Sequence, residues 1–270
     1  MCHPTADDSL DGFDAHPFVP AKRLDELPHV IEALDKLRAE HNRGSSRRAG
    51  EQRTDDLPGV SEVGRRLLLL WALRPYIPVS RIWPQIGDYS YIYQANIHKE
   101  IQDHHLAQFK DPRLGKRRLL LMALTTEGWR YLQLAPPEEK GRGGTEHRHY
   151  AHFLKWVGER RGYEAHIEWQ VPGSDPAYAC DGAWLVGGKW EAFEIAVDCI
   201  ENIPDHLRAT LPCPVVSSVT ILSPQKRSFE KIQAIIDRDI ALAVQRGRIR
   251  FQPLEPLVEE LWPCEPRPSS

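Results

Sequence analysis

The sequence predicts a mixed fold in which a small α+β module precedes an α/β sandwich. Three observations predict it. Between Glu146 and Arg161 the apolar positions Tyr150, Phe153, Leu154 and Val157 recur at helical spacing, and after Gly162 the spacing turns to strand-like alternation. The pair Gly187-Gly188 then separates AWLV from KWEAFEIAV, the signal of a hairpin closed by a primed turn. Upstream, three short helical patterns run into a basic hairpin pattern.

Residues 1–57 read as weakly structured. MCHPTADDSLDGFDAHPFVP is acidic and broken by prolines, and SSRRAGEQRTDD is small, polar and charged. Between them Leu24, Leu27, Val30, Ile31, Leu34 and Leu37 fall on one face of an expected helix over Ala21–Asn42, which docks on the following domain or takes a partner.

Residues 58–134 are expected to hold a first helix over Val60–Leu73, a breaker at Pro75-Tyr76-Ile77-Pro78, a second helix over Val79–Ile86 and a third over Tyr89–Leu106 capped by Asp88. A hairpin follows, with strands Ala107–Lys110 and Lys116–Leu121 about a turn at Asp111–Gly115. The stretch Leu124-Thr125-Thr126-Glu127-Gly128-Trp129-Arg130-Tyr131-Leu132 closes the segment. It resembles the L-T-x-x-G-x-x-x-L ending of winged helix-turn-helix DNA-binding domains. On that resemblance the third helix presents Tyr89, Ser90, Tyr93, Gln94, Asn96, His98 and Lys99 to a major groove. The wing carries Lys110, Arg113, Lys116, Arg117 and Arg118 toward phosphates. Between Pro58 and Gln133 there are eleven basic residues against six acidic ones, a basic segment inside a chain of net charge −3. Winged helices also serve as protein-interaction modules, the alternative for this segment.

Residues 135–144 contain two prolines and three glycines without apolar periodicity, as a linker does. Thr145 is the expected cap of the next helix. Residues 145–262 then order as helix, strand, strand with Asp181, Gly-Gly turn, strand with Glu194, helix over Asn202–Leu211, buried strand over Val215–Leu222, helix over Ser228–Arg246, strand over Ile249–Phe251 and a final helix over Leu254–Leu261. Residues 263–270 read as a disordered tail.

The turn at Gly187-Gly188 brings Asp181 and Glu194 to one end of a small sheet, with Glu146 on the helix beside them. Three converging carboxylates call for a hard divalent cation. This order of elements and acids resembles the PD-(D/E)XK nuclease superfamily, a restriction-endonuclease-like α/β sandwich. The resemblance implies that Glu146, Asp181 and Glu194 hold Mg²⁺ or Mn²⁺, which would activate water for phosphodiester hydrolysis in a DNA endonuclease. The superfamily's lysine two residues after the second acid is absent: Ala196 stands there. Lys189 on the same strand and Arg208 on the next helix are the nearest substitutes, and the motif Glu201-Asn202…His206-Leu207 opens that helix. Glu146 also suits a helix N-terminus, and His149 or Arg148 is placed for a phosphate. His147 and His149, two apart, point to different faces, against a zinc site. Glu168 reads as an edge-strand charge, Asp175 as a turn residue and Asp198 as a strand-end cap or extra ligand.

The combination, from about Pro58 to Phe251, is also similar to accessory regions near conjugation-type ATPases and to replication-relaxation proteins of mobile elements. It implies DNA transactions in mobile-element, replication or defence settings, with DNA and a partner such as an ATPase, and leaves a homodimer open. Other classes stay open too: a degenerate, non-cutting domain that binds or scaffolds DNA, a winged-helix transcriptional regulator, and a pure interaction subunit. No apolar run approaches membrane-spanning length, the longest being Leu67–Leu73, and the first residues lack a basic start and apolar core, so a cytoplasmic protein with no membrane partner is expected. The five cysteines, Cys2, Cys180, Cys199, Cys213 and Cys264, show no C-x-x-C spacing, as for free thiols in a reducing compartment.

Overall fold

The computed structural model describes residues 59–114, 117–136, 143–174, 176–197 and 200–262. The expected helix over Ala21–Asn42, the middle of the linker, Lys116, Asp175, Asp198 and the tail beyond Trp262 lie outside them. The described residues belong to one compact unit.

Helix α1, Glu62–Leu73, starts at Ser61, whose hydroxyl accepts the Gly64 amide at 3.2 Å. The same hydroxyl donates to Glu100 at 2.7 Å and ties α1 to the third helix. Helix α2 spans Val79–Ile86, as the sequence predicts. Helix α3 spans Tyr91–Asp103 and is capped by Ser90, which accepts the Tyr93 amide at 3.3 Å, not by Asp88. The physical reason is aromatic. Tyr89 stacks on Tyr93 at 4.8 Å and meets Trp83 edge-on at 5.9 Å, so it packs ahead of the helix instead of joining it.

Strand β1, Ala107–Lys110, pairs antiparallel with β4, Leu121–Leu124, and the two-residue strands β2, Arg113–Leu114, and β3, Arg117–Arg118, pair at the tip. Of the expected returning strand Lys116–Leu121, Arg117–Arg118 pair only at the tip, and the strand that returns beside β1 begins at Leu121 and runs on to Leu124. Leu114, Leu119 and Leu121 are drawn into a core with Tyr150, Phe153 and Leu154, and this burial sets the register. Helix α4, Thr126–Leu132, is capped by Thr125, which accepts the Gly128 amide at 3.0 Å. Only glycine fits at 128, because a Cβ there would sit 2.0 Å from the Leu106 carbonyl oxygen.

Helix α5, Thr145–Arg160, begins after Gly144, and Thr145 makes no cap bond, contrary to expectation. A five-stranded sheet follows from β5, Glu164–Gln170, β6, Ala179–Val186, β7, Lys189–Ile195, β8, Val216–Ser223, and β9, Ile249–Pro253, in the order β5-β6-β7-β8-β9. The first two pairings are antiparallel and the last two parallel. Gly187 and Gly188 have φ of 57° and 78°, the left-handed pair of a primed turn that joins Val186 to Lys189. A 3₁₀ turn, Ile200–Asn202, leads into α6, Ile203–Thr210.

The single helix expected over Ser228–Arg246 is two, α7, Lys226–Ile236, and α8, Ile240–Val244. Asp239 causes the break: its carboxylate accepts the Leu242 amide at 3.2 Å as a cap and takes Arg208 Nε at 3.0 Å. Helix α9, Glu255–Leu261, packs on α5, with Trp262 edge-on to Phe153 at 4.8 Å. Layers of helix thus cover both faces of the sheet. Phe193, Ile195 and Trp184 face α5 and α9, while Ala192, Ala196, Val219 and Ile221 face α6 and α7. Among the described residues no helix is long and apolar enough to cross a membrane.

Candidate functional site

The backbone register explains why two carboxylates meet. Strands β6 and β7 pair from Val186↔Lys189 to Gly182↔Phe193 and then part. At the fork Asp181 replaces the missing ladder bond, its Oδ2 accepting the Ile195 amide at 2.7 Å. Glu194, on the residue before that amide, is fully buried. Opposite Asp181 on β5, between the registered pairs Ile167↔Gly182 and Trp169↔Cys180, Glu168 holds φ of 50°, a left-handed residue within a strand.

Glu194 is enclosed by protein donors. The Tyr178 hydroxyl donates to Oε1 at 2.8 Å, and His206 Nδ1 on α6 lies 2.9 Å from Oε2. Burial, then the nearby Asp181 charge, pushes the Glu194 carboxyl up to about 7, against the opposing pull of His206 and Tyr178. Its hydrogen bond with Glu194 raises His206 above the ordinary histidine range. Burial and the Glu194 charge raise the Tyr178 hydroxyl, which stays a neutral donor. Cys180 is buried beside this group, and desolvation raises its thiol well above the usual range. From α5 the contact to Asp181 comes through His147, whose Nε2 lies 3.0 Å from Oδ2.

The sequence-predicted site residues therefore divide. Asp181 and Glu194 are brought together. Glu146 sits half-buried in the first turn of α5. It is not drawn into a trio with them: among the described residues no three His, Cys, Asp or Glu side chains converge so as to hold a metal ion. Lys189 is exposed and opens β7 at the turn, five residues before Glu194, so at about 3.3 Å per residue it stands at the far end of the strand. Arg208 is exposed and engaged by Asp205 and Asp239. His149 is fully buried with Nδ1 on the Thr145 carbonyl at 2.7 Å, and burial lowers it to about 4, so it faces no phosphate.

The donor set does not fit the divalent cation that the superfamily resemblance implies. Both Glu194 oxygens and one Asp181 oxygen already accept from N–H or O–H groups, and Ala196 fills the lysine position. Tyr178, His147 and His206 escaped the sequence reading as partners of the acids. Only His206, in its Glu201-Asn202…His206-Leu207 motif, left a sequence signal.

The second surface is α3 with the hairpin. Ile97 and Ile101 face the core, leaving Tyr91, Ile92, Ala95, Asn96 and Lys99 outward. Tyr91 and Ile92, absent from the sequence-based set, are 81% and 73% exposed. Tyr93 is exposed and stacked with half-buried Tyr89. Gln94 gives its side-chain amide to the Tyr89 carbonyl at 2.8 Å, and His98 accepts Trp83 Nε1 at 3.1 Å. Lys99 pairs with Asp103. Lys110 and Arg113 are exposed, and Arg118 lies 3.3 Å from Asp111. Arg117 occupies β3.

Compared with protein-family models, with curated proteins and with solved structures, the chain matches none.

Proposed function

We propose that this protein binds DNA through a winged-helix module, residues 58–134, and carries beside it a PD-(D/E)XK-like sandwich whose acids are held by protein hydrogen bonds rather than turned to cutting. The outward face of α3, adjoining the exposed cations Lys110, Arg113 and Arg118, carries the DNA-binding reading. The three helices, paired strands and closing helix in that order support the winged-helix assignment, and the sequence α5-β5-β6-β7-α6-β8 with Asp181 and Glu194 at the fork supports the nuclease-like one. The engagement of Glu194 by Tyr178 and His206 favours a non-cutting domain.

One observation favours the second reading, a Mg²⁺- or Mn²⁺-dependent endonuclease: Asp181 and Glu194 do meet, as such an enzyme requires. In either case the setting suggested by the sequence resemblance is DNA transactions of mobile elements, replication or defence.

Duplex binding measured by fluorescence anisotropy in EDTA and again in Mg²⁺ tests the reading. Metal-independent binding that weakens steeply with salt is expected. An absence of duplex binding at any salt would remove the DNA-binding claim.

A further inference from the structure

The outward residues of α3 have a chemistry that the DNA-binding reading alone does not use. Tyr91, Ile92, Ala95, Asn96 and Lys99 follow the i, i+1, i+4, i+5, i+8 spacing of one helical stripe, and all are exposed. Ile92 and Ala95 make the centre of that stripe apolar, with Asn96 beside them. An apolar strip on a helix asks for an apolar partner. Exposed Lys110 and Arg113 stand on the adjoining hairpin, where Phe109 of β1 contacts His98 of α3 at 4.7 Å. Their charge complements a phosphate backbone. The apolar group that a base presents in the major groove is the thymine methyl, and asparagine matches adenine N6 and N7 with two hydrogen bonds.

We propose that α3 reads A·T pairs in the major groove, Ile92 and Ala95 packing on thymine methyl groups while Asn96 pairs with adenine. The inference rests on the DNA-binding reading and names the sequence class that the same surface selects. Of the polar side chains named for base reading, Gln94 and His98 are held by Tyr89 and Trp83 and Lys99 pairs with Asp103, which leaves base reading to Asn96.

The test uses the full chain and three duplexes of equal length: alternating A·T, the same duplex with deoxyuridine replacing thymidine, and G·C. Wild type is expected to bind the thymidine duplex tightest and the deoxyuridine duplex more weakly by roughly four-fold for each thymine methyl group that Ile92 and Ala95 cover. The Ile92→Ser, Ala95→Ser double variant is expected to bind thymidine and deoxyuridine duplexes equally. Asn96→Ala is expected to lose affinity for both A·T and A·U duplexes and approach the G·C value. Equal wild-type affinity for thymidine and deoxyuridine duplexes, or a gap that survives in the double variant, overturns the inference and leaves DNA binding standing. No binding to any of the three overturns both.

Discussion

The Tyr178 hydroxyl donates a 2.8 Å hydrogen bond to Oε1 of Glu194, a carboxyl with no exposed surface. That bond, with His206 on the other oxygen, gives each oxygen of the buried carboxyl a hydrogen-bond partner.

Stability should fall as pH rises through neutrality. Glu194 is raised to about 7, so between the ordinary carboxylate range and 7 the folded chain binds more protons than the unfolded one, and folding is favoured on the acid side. His206 is raised too, and its contribution likewise is present at low pH and lost as pH rises. Thermal or denaturant unfolding from pH 5.5 to 8 should show the decline, on the order of 2 kcal/mol. Glu194→Gln should flatten it, and an unchanged slope in that variant would remove Glu194 as its source.

Tyr178→Phe should cost about 1–2 kcal/mol at pH 8, where Glu194 is ionised and loses a donor, and less at pH 5.5. Chemical denaturation at the two pH values reads the difference. An equal loss at both would mean that Tyr178 acts through packing alone.

Gly128→Ala should destabilise by about 3 kcal/mol or more, because the new methyl meets the Leu106 carbonyl at 2.0 Å and backbone cannot swing aside as a side chain does. A melting temperature within a degree of wild type would contradict the close approach of α4 to the end of α3.

Arg113→Ala and Lys110→Ala should each weaken binding to all duplexes alike and lower the slope of log affinity against log salt by roughly 1. An unchanged slope would place the phosphate contact elsewhere.

Periodicity made the long elements legible. Tyr150, Phe153, Leu154 and Val157 are buried as their spacing predicts, and the Gly187-Gly188 turn fixes the pairing that carries Asp181 to the fork beside Glu194. Competing local signals hid the rest. Asp88 and Ser90 are both good caps, and only the packing of Tyr89 on Trp83 and Tyr93 decides for Ser90. Asp239 lies inside the helical pattern over Ser228–Arg246, and the helix breaks there because Arg208 and the Leu242 amide claim its carboxylate. The choice between Glu146 and His147 is a matter of helix rotation: neighbours differ by about 100° around the axis, and packing sets that angle. Tyr178 lies outside any periodic element, so nothing in the sequence aims it at Glu194.

Incubating the full chain with supercoiled and linear DNA in Mg²⁺ or Mn²⁺, wild type beside Asp181→Asn and Glu194→Gln, tests the central claim most directly. The expected result is DNA shifted by all three proteins and cut by none. Cutting by wild type that vanishes in both variants would contradict it, and would make Asp181 and Glu194 the acids of a working nuclease.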